Sequence, residues 1–167
     1  TFPKDGDSAQ SLLQHADIAM YKAKSDGRGV VRAYDPALDD RSNEKLELSN
    51  ALRKGLANRE FELHYQPKIA SDTGLLSGFE ALVRWHHPVH GLIPPLQFIA
   101  LAEQTGLIVS LGRWVLEEAC AQLQRWRTDG VVDVPVAVNV SGIQFRQDDF
   151  NATVASVLAS TGLPADR

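Results

Sequence analysis

Only one cysteine, Cys120, occurs in the 167 residues, so no disulfide can form within the chain. That fits a reducing compartment, and a cytoplasmic location is expected. Charge of one sign is also scarce: 17 basic residues against 21 acidic ones leave a formal net charge of −4. A sequence-independent grip on nucleic acid needs a clearly basic surface and is not expected. A small anionic ligand stays open, because a few local arginines and a metal can hold one at any net charge. Long apolar runs are missing too. Nothing approaches the roughly 18 consecutive apolar residues of a membrane span, and no charged-then-apolar leader is found. No membrane contact by this segment is expected. The chain opens at Thr1-Phe2-Pro3 without an initiator methionine, so further segments are expected upstream in a longer parent, and a membrane anchor of that parent would lie among them if it has one.

What remains is ordinary globular material, with 44% hydrophobic and 23% charged residues, so disorder is not the default. Asp7 is expected to cap a first helix with Gln10 as its box partner. Leu13, Ala16, Met20 and Ala23 form its apolar face, and Gly27 ends it. Val30, Val31 and Tyr34 predict a short strand, closed by Asp35-Pro36. The polar stretch 35–43 reads as a connector, followed by a helix with Leu48, Leu52 and Leu56 on one face.

From Phe61 the pattern becomes strand, turn, strand, two helices, strand, helix. The strands are expected at about 61–69, 75–85 and 134–140, with Ser71-Asp72-Thr73-Gly74 as the turn. Pro94-Pro95 opens a short helix ended by Gly106, and longer helices follow at about 109–128 and from Phe150 to Gly162. Strands alternating with helices predict a parallel α/β sheet, open or closed into a barrel. Three strands are too few to close an eight-stranded barrel.

Glu80 is the odd residue of an otherwise apolar run, Gly78-Phe79-Glu80-Ala81-Leu82-Val83-Arg84-Trp85. Period two puts Glu80, Leu82 and Arg84 on one face. An internal ion pair or a strand end reaching water would account for it equally well. Asn139 ends the Val-rich strand, where a turn or cap role is the plain alternative, and Gln66 could simply bond a loop. Taken together, each strand brings a polar group towards its carboxyl end, where parallel α/β folds gather ligands. A carboxylate and an amide oxygen make a part-shell for a hard divalent cation, and an arginine suits a phosphate oxygen. The residues thus point to metal-assisted chemistry on a phosphate compound.

Other candidates carry less. His86, His87 and His90 cluster, but no cysteine or carboxylate stands at a zinc spacing in the sequence. His64 is expected to be partly exposed and Cys120 to be inert core. Trp114, Trp126, Arg125 and Arg127 fit base stacking or plain helix packing alike.

Two stretches resemble known families. Ala16-Asp17-Ile18-Ala19-Met20-Tyr21-Lys22-Ala23-Lys24 with Gly27-Arg28 resembles the last helix of GGDEF domains, the diguanylate cyclase family. The family's signature loop would lie upstream, so no cyclase activity is implied here. Residues from about 45 resemble the opening of EAL domains, which hydrolyse cyclic-di-GMP to the linear dinucleotide pGpG. The resemblance rests on Tyr65-Gln66-Pro67, Glu80-Ala81-Leu82 with Arg84-Trp85, Leu92-Ile93-Pro94-Pro95 with Phe98-Ile99, Ala102-Glu103, and Val138-Asn139-Val140-Ser141. Ala100 and Gly142-Ile143 depart from the family's commoner residues, away from any ligand position.

The resemblance implies an incomplete TIM-like (β/α) barrel of the EAL type, preceded by the last helix and strand of a GGDEF α/β domain. The expected boundaries are 1–35, a linker at 36–44, and 45–167. It implies Glu80 and Asn139 as metal ligands in a two-metal site for Mg²⁺ or Mn²⁺. Gln66, Leu82 and Arg84 would contact cyclic-di-GMP. The remaining carboxylates and the catalytic lysine would follow Arg167, so residues 1–167 alone are expected to be inactive, and residues 45–167 alone, with an open strand edge, to be prone to associate. The parent is expected to be a homodimer through its EAL domain. A degenerate EAL domain that binds cyclic-di-GMP or a partner without cutting is the alternative.

Overall fold

The structure is a computed structural model, and it describes residues 1–25 and 29–167. The chain forms two compact units, Thr1–Asn50 and Ala51–Arg167. In the first, helix α1 spans Ala9–Ser25 and helix α2 begins at Pro36, running to Asn58. The cap of α1 is not the expected Asp7–Gln10 pair. Ser8 and Ser11 cap it reciprocally, each backbone N–H donating to the other's hydroxyl at 3.1 Å. The expected apolar face is also displaced, since Leu13 and Met20 are exposed while Ala19 is buried. Gly27 and Arg28, the expected helix end, lie outside the described residues.

Residues 30–35 form no strand, contrary to expectation. A strand is defined by its partner, and β-branched residues alone supply none. The expected connector is helical from Pro36. Proline is at home in the first helical position, where its missing N–H costs nothing and its φ is already helical.

The second unit takes in the end of α2, where Leu52 is fully buried. Strand β1 (Phe61–Ile69) turns through residues 70–75 into β2 (Leu76–His87). Ala70 and Leu75 close the turn by a hydrogen bond, and Gly74 sits at φ 68°, which favours glycine. A three-residue strand β3 (Gly91–Ile93) follows, then α3 (Pro95–Thr105) and α4 (Ile108–Thr128). Strand β4 (Val136–Val138), the short helix α5 (Gly142–Phe145) and α6 (Phe150–Thr161) complete the unit. Gly106 and Gly162 end α3 and α6 in the left-handed conformation.

The sheet is mixed, not parallel. β1 and β3 both run antiparallel to β2, and only β4 runs parallel to it. The alternation of strand and helix that predicted a parallel sheet begins only after β2, because a short turn joins β1 to β2 and forces reversal. β1 takes one edge of β2, while β3 and β4 share the other, pairing with residues 85–87 and 79–81. β4 is shorter than expected and only half covered.

Side chains alternate between the two faces of β2, though Gly78, on the face opposite the core, is buried too. Ala81 and Trp85 are buried on one face, where Trp85 meets Phe61 and Phe98 in ring contacts at 5.4 and 5.7 Å. Along α4, Leu111, Val115, Ala119, Cys120 and Leu123 recur at helical spacing and are buried. Cys120, Leu123, Val157 and Leu163 form a second cluster between α4 and α6. Trp126 packs on Tyr65 and Phe79, and Trp114 on Phe61, so both tryptophans serve packing. Arg125 pairs with Glu118, and Arg127 with Asp133. No helix among the described residues is long and apolar enough to cross a membrane.

Candidate active site

The face of β2 opposite the core carries Glu80, Leu82, Arg84 and His86. Antiparallel pairing sets Gln66 directly across from Glu80, His64 from Leu82, and Glu62 from Arg84. Directly opposed residues project to the same side of a sheet, so β1 and β2 together present one polar face.

Asn139 reaches that face through the parallel strand. Glu80 is in register with Ala137, so the chain leaving Val138 carries Asn139 alongside the carboxylate. The Asn139 side-chain amide donates to Glu80 Oε1 at 2.8 Å, across 59 residues of sequence. Lys68, on the same face of β1 as Gln66, places Nζ 3.6 Å from Glu80 Oε2. The Asn139 hydrogen bond, and after it Lys68, hold the Glu80 carboxyl below the usual glutamate range. Glu80 is therefore both ion-paired and in contact with Asn139. Metal-ligand and ion-pair roles had stood as alternatives for it, and the lysine is the partner that spacing alone did not reveal.

A short capped segment holds Asn139 in place. Ser141 caps α5 in a reciprocal box: its hydroxyl accepts from Gln144 N–H, and its own N–H donates to Gln144 Oε1, both at 3.2 Å. Gln144 is buried, and its carboxamide fits over α4 only because residue 112 is glycine. Between the pairings of β3 and β4, the edge of β2 opens into a cavity of about 270 Å³. Leu82, Arg84 and Asn139 line it together with Glu103, Ser141 and Gln144. Arg84 donates to the Val83 carbonyl at 3.0 Å. The structure thus brings Gln66, Glu80 and Asn139 to one place, with Lys68. Arg84 lies four residues further along, about 13 Å at the strand rise.

The donor set suits a hard cation. With the amide turned over, Asn139 offers Oδ1 where Nδ2 stands, and oxygens about 2.8–3.0 Å apart match adjacent ligands of an octahedral ion at about 2.1 Å. Elsewhere on the same face, Glu62, His64 and His86 converge, with ligand atoms all within 4.8 Å of one another. Both histidine Nε2 atoms lie 2.7 Å from Glu62 Oε1, and these bonds hold the Glu62 carboxyl below its ordinary value. The histidine cluster legible in the sequence is resolved differently. His87 Nδ1 accepts from the backbone N–H groups of Val89 and His90 at 3.1 Å, which is a turn role.

The acid–amide pair thus stands beside an open cavity on a mixed α/β sheet, within β2 rather than at the carboxyl ends of parallel strands as expected. The EAL domain family matches residues 49–167, and the chain belongs to it. MucR of Pseudomonas aeruginosa, a bifunctional diguanylate cyclase/cyclic di-GMP phosphodiesterase, is 46% identical over 157 residues, 94% of this chain and 23% of its own length. The cyclic di-GMP phosphodiesterase PdeR of Escherichia coli is 44% identical over 156 residues, 93% of this chain and 23% of its own. The solved structure "PaMucR Phosphodiesterase, c-di-GMP complex" superposes with a TM-score of 0.67 at 47% identity, covering 70% of this chain and 47% of that one. The chain thus spans about a fifth to a quarter of the curated relatives it matches.

Proposed function

We propose that this chain is part of a cyclic-di-GMP phosphodiesterase that cleaves the cyclic dinucleotide to linear pGpG with the help of divalent metal. The contact between Glu80 and Asn139 carries the proposal: the pairing of β2 with β4 brings together a carboxylate and an amide that are 59 residues apart in sequence. Relatives named as cyclic di-GMP phosphodiesterases, and the cyclic-di-GMP complex of one of them, support it.

In this site Glu80 and Asn139 would hold Mg²⁺ or Mn²⁺ through oxygen. When bound, such ions supply Lewis acidity and an activated water for in-line attack on a phosphodiester. The chain's own residues bind and orient. Gln66 offers a carboxamide opposite Glu80, Arg84 a planar guanidinium for a phosphate oxygen, and Leu82 an apolar contact between them. The depressed Glu80 carboxyl stays ionised at neutral pH, as a metal ligand must. By the family resemblance the lysine and further carboxylates belong to strands beyond these, so turnover is expected of the full-length protein.

Residues 1–35 are assigned to the end of a GGDEF-type domain, supported by the Ala16–Lys24 motif and by the reach of the MucR alignment over 94% of the chain. A buried Cys120 suits a cytoplasmic setting, and a homodimer through the EAL domain is checked by sedimentation of the full-length protein.

The test is cyclic-di-GMP turnover by the full-length protein with Mg²⁺ or Mn²⁺, beside Glu80→Ala. Metal-dependent pGpG formation lost in the variant is the expected result. Binding without turnover would make the protein a receptor instead.

A further inference from the structure

We propose that Glu62, His64 and His86 form a binding site for a borderline transition-metal ion of the Zn²⁺ class. None of the three is Glu80 or Asn139, and the proposal does not depend on the phosphodiesterase assignment.

Three observations carry it. The first is convergence. Both imidazoles turn Nε2 onto one carboxylate oxygen, each at 2.7 Å, and the three ligand atoms lie within 4.8 Å of one another. The second is support by paired strands rather than loops. Glu62 and His64 are two apart on β1, so they share a face, and Glu62 is opposite Arg84, two residues before His86 on β2. The His86 N–H donates to the Glu60 carbonyl at 2.8 Å, which pins the strand carrying the second histidine. Glu62 therefore stands between the two histidines along the sheet. The third is ligand chemistry. Two imidazole nitrogens and one carboxylate select Zn²⁺, Co²⁺ or Ni²⁺ over Mg²⁺, which prefers an all-oxygen shell.

Binding needs little rearrangement. The ring proton that each Nε2 shares with Oε1 moves to Nδ1, or leaves as H⁺ if the ring is charged, and the freed lone pair takes the metal. Oε1 stays as the third ligand. Three protein ligands leave a fourth position for water or an anionic oxygen. Arg84, across from Glu62, adds positive charge nearby and donates one of its N–H groups to the Val83 carbonyl.

The experiment uses full-length protein stripped of metal and titrated with Co²⁺ in excess Mg²⁺, followed by visible absorption. One Co²⁺ per chain that Mg²⁺ does not displace and Zn²⁺ does is expected. His64→Ala and His86→Ala should each weaken it by about tenfold or more. Glu62→Gln, which keeps the shape, should do the same, while His87→Ala and Glu80→Ala leave it unchanged. All three ligands are exposed, so the variants keep the fold, and unchanged thermal melting confirms it. No Mg²⁺-resistant Co²⁺ binding would overturn the proposal. So would binding that follows His87→Ala or Glu80→Ala but not His64→Ala and His86→Ala.

Discussion

Replacing Gly112 by alanine tests how Asn139 is held. A helix interior ordinarily gains about 1 kcal/mol from Gly→Ala, because alanine loses less backbone entropy on folding. Here the added methyl would overlap the Gln144 carboxamide, whose Oε1 lies 2.8 Å from the new atom. The Gln144 carboxamide must then swing away and release the Ser141 N–H from its Oε1, while the backbone half of the cap can persist. Losing the side-chain half of that cap, with the Ser141 N–H left unpaired, costs about 1–3 kcal/mol. Subtracting the helix gain leaves a net change between about neutral and about 2 kcal/mol of destabilisation. Urea unfolding of the full-length protein reads it directly. The double variant sharpens the test: with Gln144→Ala already present the overlap is gone, so adding Gly112→Ala should stabilise by about 1 kcal/mol. The effect of the same substitution thus depends on its neighbour. Stabilisation by Gly112→Ala in the native background would refute the coupling of α4 to the Asn139 segment.

Gly78→Ala places a methyl 2.9 Å from the Pro135 carbonyl, which already accepts from Phe79 N–H, and backbone cannot give way cheaply. A loss of about 1–3 kcal/mol in thermal or urea unfolding is expected, and an unchanged midpoint would count against the close β2–β4 approach. The Tyr65 hydroxyl is buried without a hydrogen-bond partner among the described residues, and burial pushes its pKa up to about 12. Tyr65→Phe should therefore be neutral or stabilise by up to about 1 kcal/mol, and a clear destabilisation would reveal a partner. Glu80 is held low chiefly by Asn139, so its contribution is full above the ordinary glutamate pKa and is lost as pH falls through the lowered folded value. An NMR titration of its carboxyl should move upward in Asn139→Ala, and an unmoved midpoint would sink that account.

Much of the second unit was legible from residues alone. Helices α3, α4 and α6 announce themselves by apolar spacing and by Gly106 and Gly162 at their ends, because amphipathic period and left-handed caps are local properties. Glu80, Asn139 and Gln66 stood out for the same reason: each is a polar residue where local pattern asks for another kind. Proline misled at Pro36, since the residue that closes one element can equally open the next helix. Val30–Tyr34 misled because strand formation depends on a partner that sequence does not display.

Which polar groups meet was decided only by tertiary structure. Whether Glu80 faces Asn139 depends on a parallel register between residues 59 apart, and its contact with Lys68 on an antiparallel one. The same antiparallel register gathers Glu62, His64 and His86, whereas the sequence shows His86 beside His87 and His90. Side-chain type and period are written residue by residue. Register is set by the twist, turn length and packing of whole strands, and a shift of one residue would turn every one of these groups to the other face.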